Sequence, residues 1–257
     1  MRYSVCLNAL FRGMPIAEAA QQARDAGADA CEFWGWADVE QEKLMQVQLP
    51  IAAMCTSAFC LTDPSRREEY LNGLRASLPV AKRLNCPSLI TQVGPELAQF
   101  SRELQHQSVV DGLKACVPLL EEAKVTLLIE PLNALVNHRG TYLTRSDEAF
   151  AIVREVSSPY VKVLFDIYHQ QITEGNLIAN LTANVEWIGH IHIAGCPGRH
   201  EPFGVNEIHY PSVLSALEAA GYKGYVGLEY FPENDVQDGL YRILRERVLE
   251  HGGRVKC

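Results

Sequence analysis

Glu130, Asp166, His192 and Glu229 each close a short apolar run in the second half of the chain. The runs read Thr126-Leu-Leu-Ile-Glu130, Val161-Lys-Val-Leu-Phe-Asp166, His190-Ile-His192 and Tyr225-Val-Gly-Leu-Glu229. The gaps between the four residues are 36, 26 and 37, about the length of one strand-plus-helix unit of a (β/α)8 TIM barrel. Parallel barrel strands end on one face, so all four side chains are expected to converge there. Three carboxylates and an imidazole at one point repel one another unless a divalent cation sits among them. Mostly oxygen donors with one imidazole suit Mg²⁺ or Mn²⁺, and Zn²⁺ or Co²⁺ fit the same set. A hard cation in an open site implies a substrate that chelates through oxygens. Taken singly, an acid after a strand is as well explained as a helix N-cap. Four in register are not.

Other residues near the expected strand ends could line such a site. His169, in Asp166-Ile-Tyr-His169, stands just past a strand and suits a hydrogen-bond donor to a substrate oxygen, or a packed loop imidazole. His190 faces the same way as His192 but lies deeper, which favours a supporting role. The turn-rich Gly195-Cys-Pro-Gly-Arg-His-Glu-Pro202 is expected to carry Arg199 and Glu201 close to the cation. Arg199 matches a carboxylate, phosphate or enolate oxygen, against the alternative of an Arg–Glu surface pair. Glu207 is a weaker case of the same kind. Glu32-Phe-Trp-Gly-Trp36 offers Glu32 as a partner for a hydroxyl and Trp34 and Trp36 as an apolar wall, or simple rim packing. Asn8, Thr56 and Gln92 are further polar lining. No phosphate-loop, dinucleotide fingerprint or nucleophile-elbow motif is present.

The elements that must position these residues follow a period of about 30 residues, the βα pattern. Strands are expected near 3–8, 30–33, 51–56, 88–93, 126–130, 161–166, 190–194 and 225–229. Each is short and apolar, as strands covered on both faces are. Helices are expected over 16–26, closed by Gly27, and over 64–84, opened by Asp63 and Pro64. Others fall over 101–123 with a break at Pro118, over 146–156 with a cap at its start, over 211–220 and over 236–251. The two long connections, 131–146 and 195–210, follow the fifth and seventh strands and belong on the C-terminal face. Linkers and low-complexity tracts are absent, so residues 1–257 are read as one domain.

A chain of 257 residues fits one barrel of about 250. Its 47% hydrophobic and 21% charged residues are those of an ordinary globular protein. A formal charge of −8 argues against a general nucleic-acid binder. The eight cysteines form no CxxC pair, and buried reduced thiols are expected. The N-terminus lacks an apolar signal region, and no run reaches the roughly 18 apolar residues of a membrane span. A cytoplasmic enzyme with no membrane or nucleic-acid partner is expected.

Leu-Leu-Ile-Glu130-Pro-Leu-Asn133, Phe165-Asp166-Ile-Tyr-His169, Gly189-His-Ile-His192-Ile-Ala-Gly195, Pro197-Gly-Arg199-His-Glu201-Pro202 and Gly227-Leu-Glu229-Tyr resemble the hydroxypyruvate isomerase family, among the xylose-isomerase-like TIM barrels. The likeness runs from Arg2 to about Pro232. It implies that Glu130, Asp166, His192 and Glu229 hold the metal. It further implies that Glu130 and Glu229 move protons on opposite sides of the substrate, and that His169 and Arg199 contact substrate oxygens. Glu201, Glu32, Trp34 and Gln92 complete the expected substrate contacts. His192 stands where bacterial members often carry Gln, and Trp34-Gly-Trp36 also departs from their pattern. The reaction implied is hydroxypyruvate to tartronate semialdehyde, or isomerisation of a related oxo-acid or ketose. A ketose 3-epimerase, an inosose-type dehydratase and a metal-binding ligand sensor are the alternatives. Endonuclease IV-like repair would need more His and Asp ligands and a basic groove. Homodimers or homotetramers would fit the family.

Overall fold

Eight apolar runs become eight parallel strands: β1 (Arg2–Cys6), β2 (Ala30–Phe33), β3 (Ile51–Cys55), β4 (Ser88–Thr91), β5 (Thr126–Ile129), β6 (Val161–Asp166), β7 (Ile188–Ile193) and β8 (Tyr225–Leu228). They come from a computed structural model that describes residues 1–251 except 38, 40 and 58. Each strand pairs with its sequence neighbours, and β1 also pairs with β8, so the sheet closes into a barrel. Closure leaves no strand edge in need of a partner. The expected strands agree with these bounds to within a few residues at each end.

The helices pack outside. Ile16–Ala26 ends at Gly27, whose φ of 103° is the left-handed cap expected of it. Asp63 accepts from Ser65 N and opens a 3₁₀ turn, Pro64–Arg66, which continues as Arg67–Arg83. The expected break at Pro118 does not occur; Arg102–Ala123 runs through it. Pro118 and Lys114 lie on the exposed face, where water can take the carbonyl that the missing N–H leaves free. Ser146 begins its helix but does not cap it. Its hydroxyl bonds Glu174, and Arg145 occupies the cap position without a side-chain bond. The last helix is two, Val236–Leu244 and Val248–His251, parted near Arg247, which has a φ of 55°.

Between sheet and helices lies a large apolar core, and a second, small cluster of Ala53, Ile90, Leu128 and Leu164 fills part of the barrel interior. Strand alternation then brings Cys55, Gln92, Glu130 and Asp166, two residues further along, to the inward face at the C-terminal end. On the other side of the barrel the corresponding inner positions are polar: Ser4, Glu32 and His190, all buried. The seven described cysteines are free and at least half-buried; Cys257 lies outside the described residues. Among the described residues no helix is long and apolar enough to cross a membrane.

Candidate active site

The sites of the four spaced residues follow from the strands. Glu130 and Glu229 come one residue after β5 and β8, Asp166 ends β6, and His192 lies opposite both Asp166 and Gly227 in the sheet register. One ligand atom from each of Glu130, Asp166, His192 and Glu229 lies within 4.8 Å of the others, and all four residues are buried. Asp166 also serves as the N-cap of the following helix, Ile167–Thr173, accepting from His169 N at 3.0 Å. Asp166 therefore both caps that helix and belongs to the buried cluster.

Electrostatics are sharply divided within the cluster. Glu229 accepts from Trp34 Nε1 at 2.6 Å and from Arg199, whose Nη2 also lies 3.4 Å from Asp166 Oδ2. Burial opposes ionisation of Glu229, but His192 and Arg199 outweigh it and hold the carboxyl well below its ordinary range. Glu130 meets His192 Nδ1 only at 3.8 Å. Burial and the adjacent Glu229 charge push its carboxyl up to about 8. Burial lowers His169 to about 4 despite Asp166, so its imidazole is neutral at pH 7.

The donor set can hold a hard divalent cation. His192 Nε2 contacts Glu32 Oε2 at 3.0 Å, while the buried Nδ1 has no hydrogen-bond partner and faces Glu229 Oε2 at 3.2 Å. A carboxylate behind the imidazole and a bare nitrogen in front is the usual arrangement of a metal-binding histidine. Burial disfavours charge on His192, yet Glu229 and Glu32 raise it well above its ordinary value, so the metal-free imidazole is protonated.

A cavity of about 500 Å³ opens over this cluster. Trp34, Gln92, His169, Arg199, Glu130 and Glu229 line it, together with Thr56, His138 and Phe231. Trp34 and Phe231 meet edge to face at 6.4 Å. His138 and Phe231 were not anticipated; both sit in loops after strands, without a periodic signal.

Two expected substrate contacts lie elsewhere. Glu32 is 1% exposed, below the floor, and its oxygens are taken by Ser4 Oγ, His190 Nε2 and His192 Nε2. His190 plays the supporting part foreseen for it. Glu201 turns away from the cavity. Its carboxylate accepts from the backbone N–H of Glu233 and Asn234 at 3.3 and 3.1 Å, and Phe231 N donates to Arg199 O at 2.8 Å. Glu201 thus straps the loop after β7 to the loop after β8. Trp36 and Glu207 also lie off the cavity. Trp36 packs against the core, and Glu207 bonds Cys196 Sγ at 3.5 Å.

A family description of xylose isomerase-like TIM barrels matches residues 20–247. Hydroxypyruvate isomerase of Escherichia coli K12 is 32% identical, covering 93% of this chain and 97% of its own length. A 2-oxo-tetronate isomerase of Pectobacterium atrosepticum is 29% identical over 93% of this chain and 95% of its own. A solved structure described as AP endonuclease, family 2 from Brucella melitensis superposes with a TM-score of 0.88 at 27% identity, covering 94% and 97% of the two chains. The chain therefore belongs to the xylose isomerase-like TIM-barrel family and, within it, to the hydroxypyruvate isomerase family of enzymes.

Proposed function

We propose that the protein is a divalent-metal-dependent isomerase that moves a proton between neighbouring carbons of a small hydroxy-carbonyl compound. Hydroxypyruvate to tartronate semialdehyde is the leading reaction, with a related oxo-acid or ketose using the same groups. The buried convergence of Glu130, Asp166, His192 and Glu229 beneath an open cavity carries this reading. These four residues would hold Mg²⁺ or Mn²⁺, with Zn²⁺ or Co²⁺ accepted by the same donors. Bound there, the cation would supply Lewis-acid polarisation of a carbonyl oxygen.

In the leading reaction the C3–H bond breaks, a C2–H bond forms, and the O3 proton moves to O2, with no net oxidation. Glu130 and Glu229 are the proton carriers. Glu130 is the freer of the two, because Trp34 and Arg199 pin Glu229. Arg199 offers its guanidinium to the substrate carboxylate, and His169, whose side chain lines the cavity, is a donor to a substrate oxygen. Trp34 and Gln92 flank the chain of the substrate.

The test is proton NMR of the Mg²⁺-loaded protein in D₂O with hydroxypyruvate, short oxo-acids and free ketoses. Deuterium entering beside the carbonyl, and stopped by chelator, is the expected result. Exchange with the carbonyl left in place would name a 3-epimerase, and loss of water would name a dehydratase. No exchange with any compound would sink the reading.

Cation binding should also release protons. Below about pH 8 Glu130 holds a proton, and His192 Nδ1 holds another. Both must leave, so apparent Mg²⁺ or Mn²⁺ affinity should rise with pH from neutral through about 8, where Glu130 gives up its proton. Calorimetry in two buffers of different ionisation enthalpy at pH 7 should show a buffer-dependent heat. Identical heats would contradict the assignment of these ligands.

A further inference from the structure

We propose that Asn133 is a positioning residue that locks His169 as a hydrogen-bond donor toward the cavity, so that the group it meets on the substrate must be an acceptor oxygen. The proposal rests on the isomerase reading only for what that oxygen belongs to. Asn133 is fully buried at the start of the loop after β5. Its Oδ1 accepts from Val136 N and Asn137 N, both at 3.0 Å. Two backbone N–H donors can point only at an oxygen, which settles the orientation of the amide. Nδ2 therefore carries the hydrogens. One is directed at Asn137 Oδ1 at 3.0 Å and the other at His169 Nδ1 at 2.5 Å. Tyr168 OH donates to the same Asn137 Oδ1 at 2.9 Å, which fixes that amide too.

His169 Nδ1 must then offer its lone pair, and a neutral imidazole so constrained carries its one hydrogen on Nε2. His169 Nε2 is buried, has no hydrogen-bond partner, and belongs to a side chain that lines the cavity. Asp166 Oδ2, at 3.5 Å, is too far for a good bond. An unused N–H in a buried site is a vacancy for an acceptor: a carbonyl, carboxylate or enolate oxygen. The same turn places His138, whose ring meets that of His169 edge-on at 5.1 Å. Asn133 thus joins the loop backbone and the imidazole in one network.

Asn133→Asp separates the two tasks. The remaining oxygen still accepts from Val136 N and Asn137 N, while the second oxygen replaces the amide donor and calls for a hydrogen on His169 Nδ1. Rotation of the Asn137 amide and the Tyr168 hydroxyl relieves the contact between oxygens. Long-range ¹H–¹⁵N correlation spectra of the metal-free and Mg²⁺-loaded protein report the tautomer directly, with His169 assigned by its loss in His169→Gln. The expected result is a proton on Nε2 in the native protein and on Nδ1 in Asn133→Asp. A proton on Nδ1 in the native protein, or no change in the variant, would overturn the proposal. If Asn133→Asp does not fold, the native spectrum alone decides. In turnover, Asn133→Asp should cost about 10- to 100-fold in kcat/KM. It should cost nothing further in a His169→Ala background, whereas equal losses in both backgrounds would show an action independent of His169. The spectra need no turnover, so failure of the isomerase reading and failure of this one are told apart.

Discussion

Glu130→Gln is expected to lower kcat by about 10²- to 10⁴-fold with the fold intact, the range for removal of a general base. The amide keeps the volume of the carboxyl but cannot take a proton. Glu130 is also the carboxyl that the cluster leaves uncharged at neutral pH, so its replacement removes no obligatory ion pair. Stability should change little, and circular dichroism should match the native chain. Assays at saturating Mn²⁺ separate the lost base from a weakened ligand. Glu229→Gln provides the counterpart, since it removes the charge and one of the two oxygens that Trp34 and Arg199 use as acceptors. Exchange lost in Glu130→Gln and kept in Glu229→Gln would give a one-base scheme. Full activity in both would end the proton-transfer proposal.

Gly227→Ala should damage the site more than any substitution of a residue that lines it only with apolar surface. A Cβ at Gly227 would lie 2.2 Å from Glu32 Oε1, 2.7 Å from His192 Cδ2 and 3.0 Å from His190 Nε2. Those atoms belong to His192, to the buried carboxylate of Glu32 that holds it in place, and to the His190 imidazole that shares that carboxylate. None can retreat, because each is packed inside the barrel. Overpacking alone costs about 1–3 kcal/mol, and prising Glu32 from its partners adds the penalty of a stranded buried charge. A loss of about 3 kcal/mol or more, or on the order of 10 °C in Tm, should accompany weaker cation binding. Thermal unfolding with and without Mn²⁺ checks both. Native Tm and native affinity together would show that the inner polar layer yields more easily than its packing indicates.

The convergence of Glu130, Asp166, His192 and Glu229 was legible because a strand ending in an acid declares both its direction and the face of its last residue. Parallel closure then does the rest. Glu32 was misplaced for a related reason. It too sits near a strand end, but Trp34, two residues later, is the inward position that reaches the cavity. How far each strand extends into the barrel depends on register, and β2 shifts register against β3 between Cys31 and Glu32. No pattern in a single strand carries that. Glu201 was misread because its loop turns through positive φ at Gly198 and Arg199, 94° and 62°, which sends neighbouring side chains in opposite directions. Pro118 failed as a breaker because its exposed side tolerates a free carbonyl. The contacts of Asn133 were hidden because its partners come from its own loop and from the helix Ile167–Thr173, and only their meeting gives it direction.

The strap formed by Glu201 also limits how such enzymes can be recombined. Arg199 is held over Glu229 by bonds to the loop that follows β8. A chimera with its crossover between β7 and β8 would take the arginine from one parent and its anchor from the other. The smallest portable module for this side of the active site is therefore the stretch from Gly195 to Asp235, inherited whole.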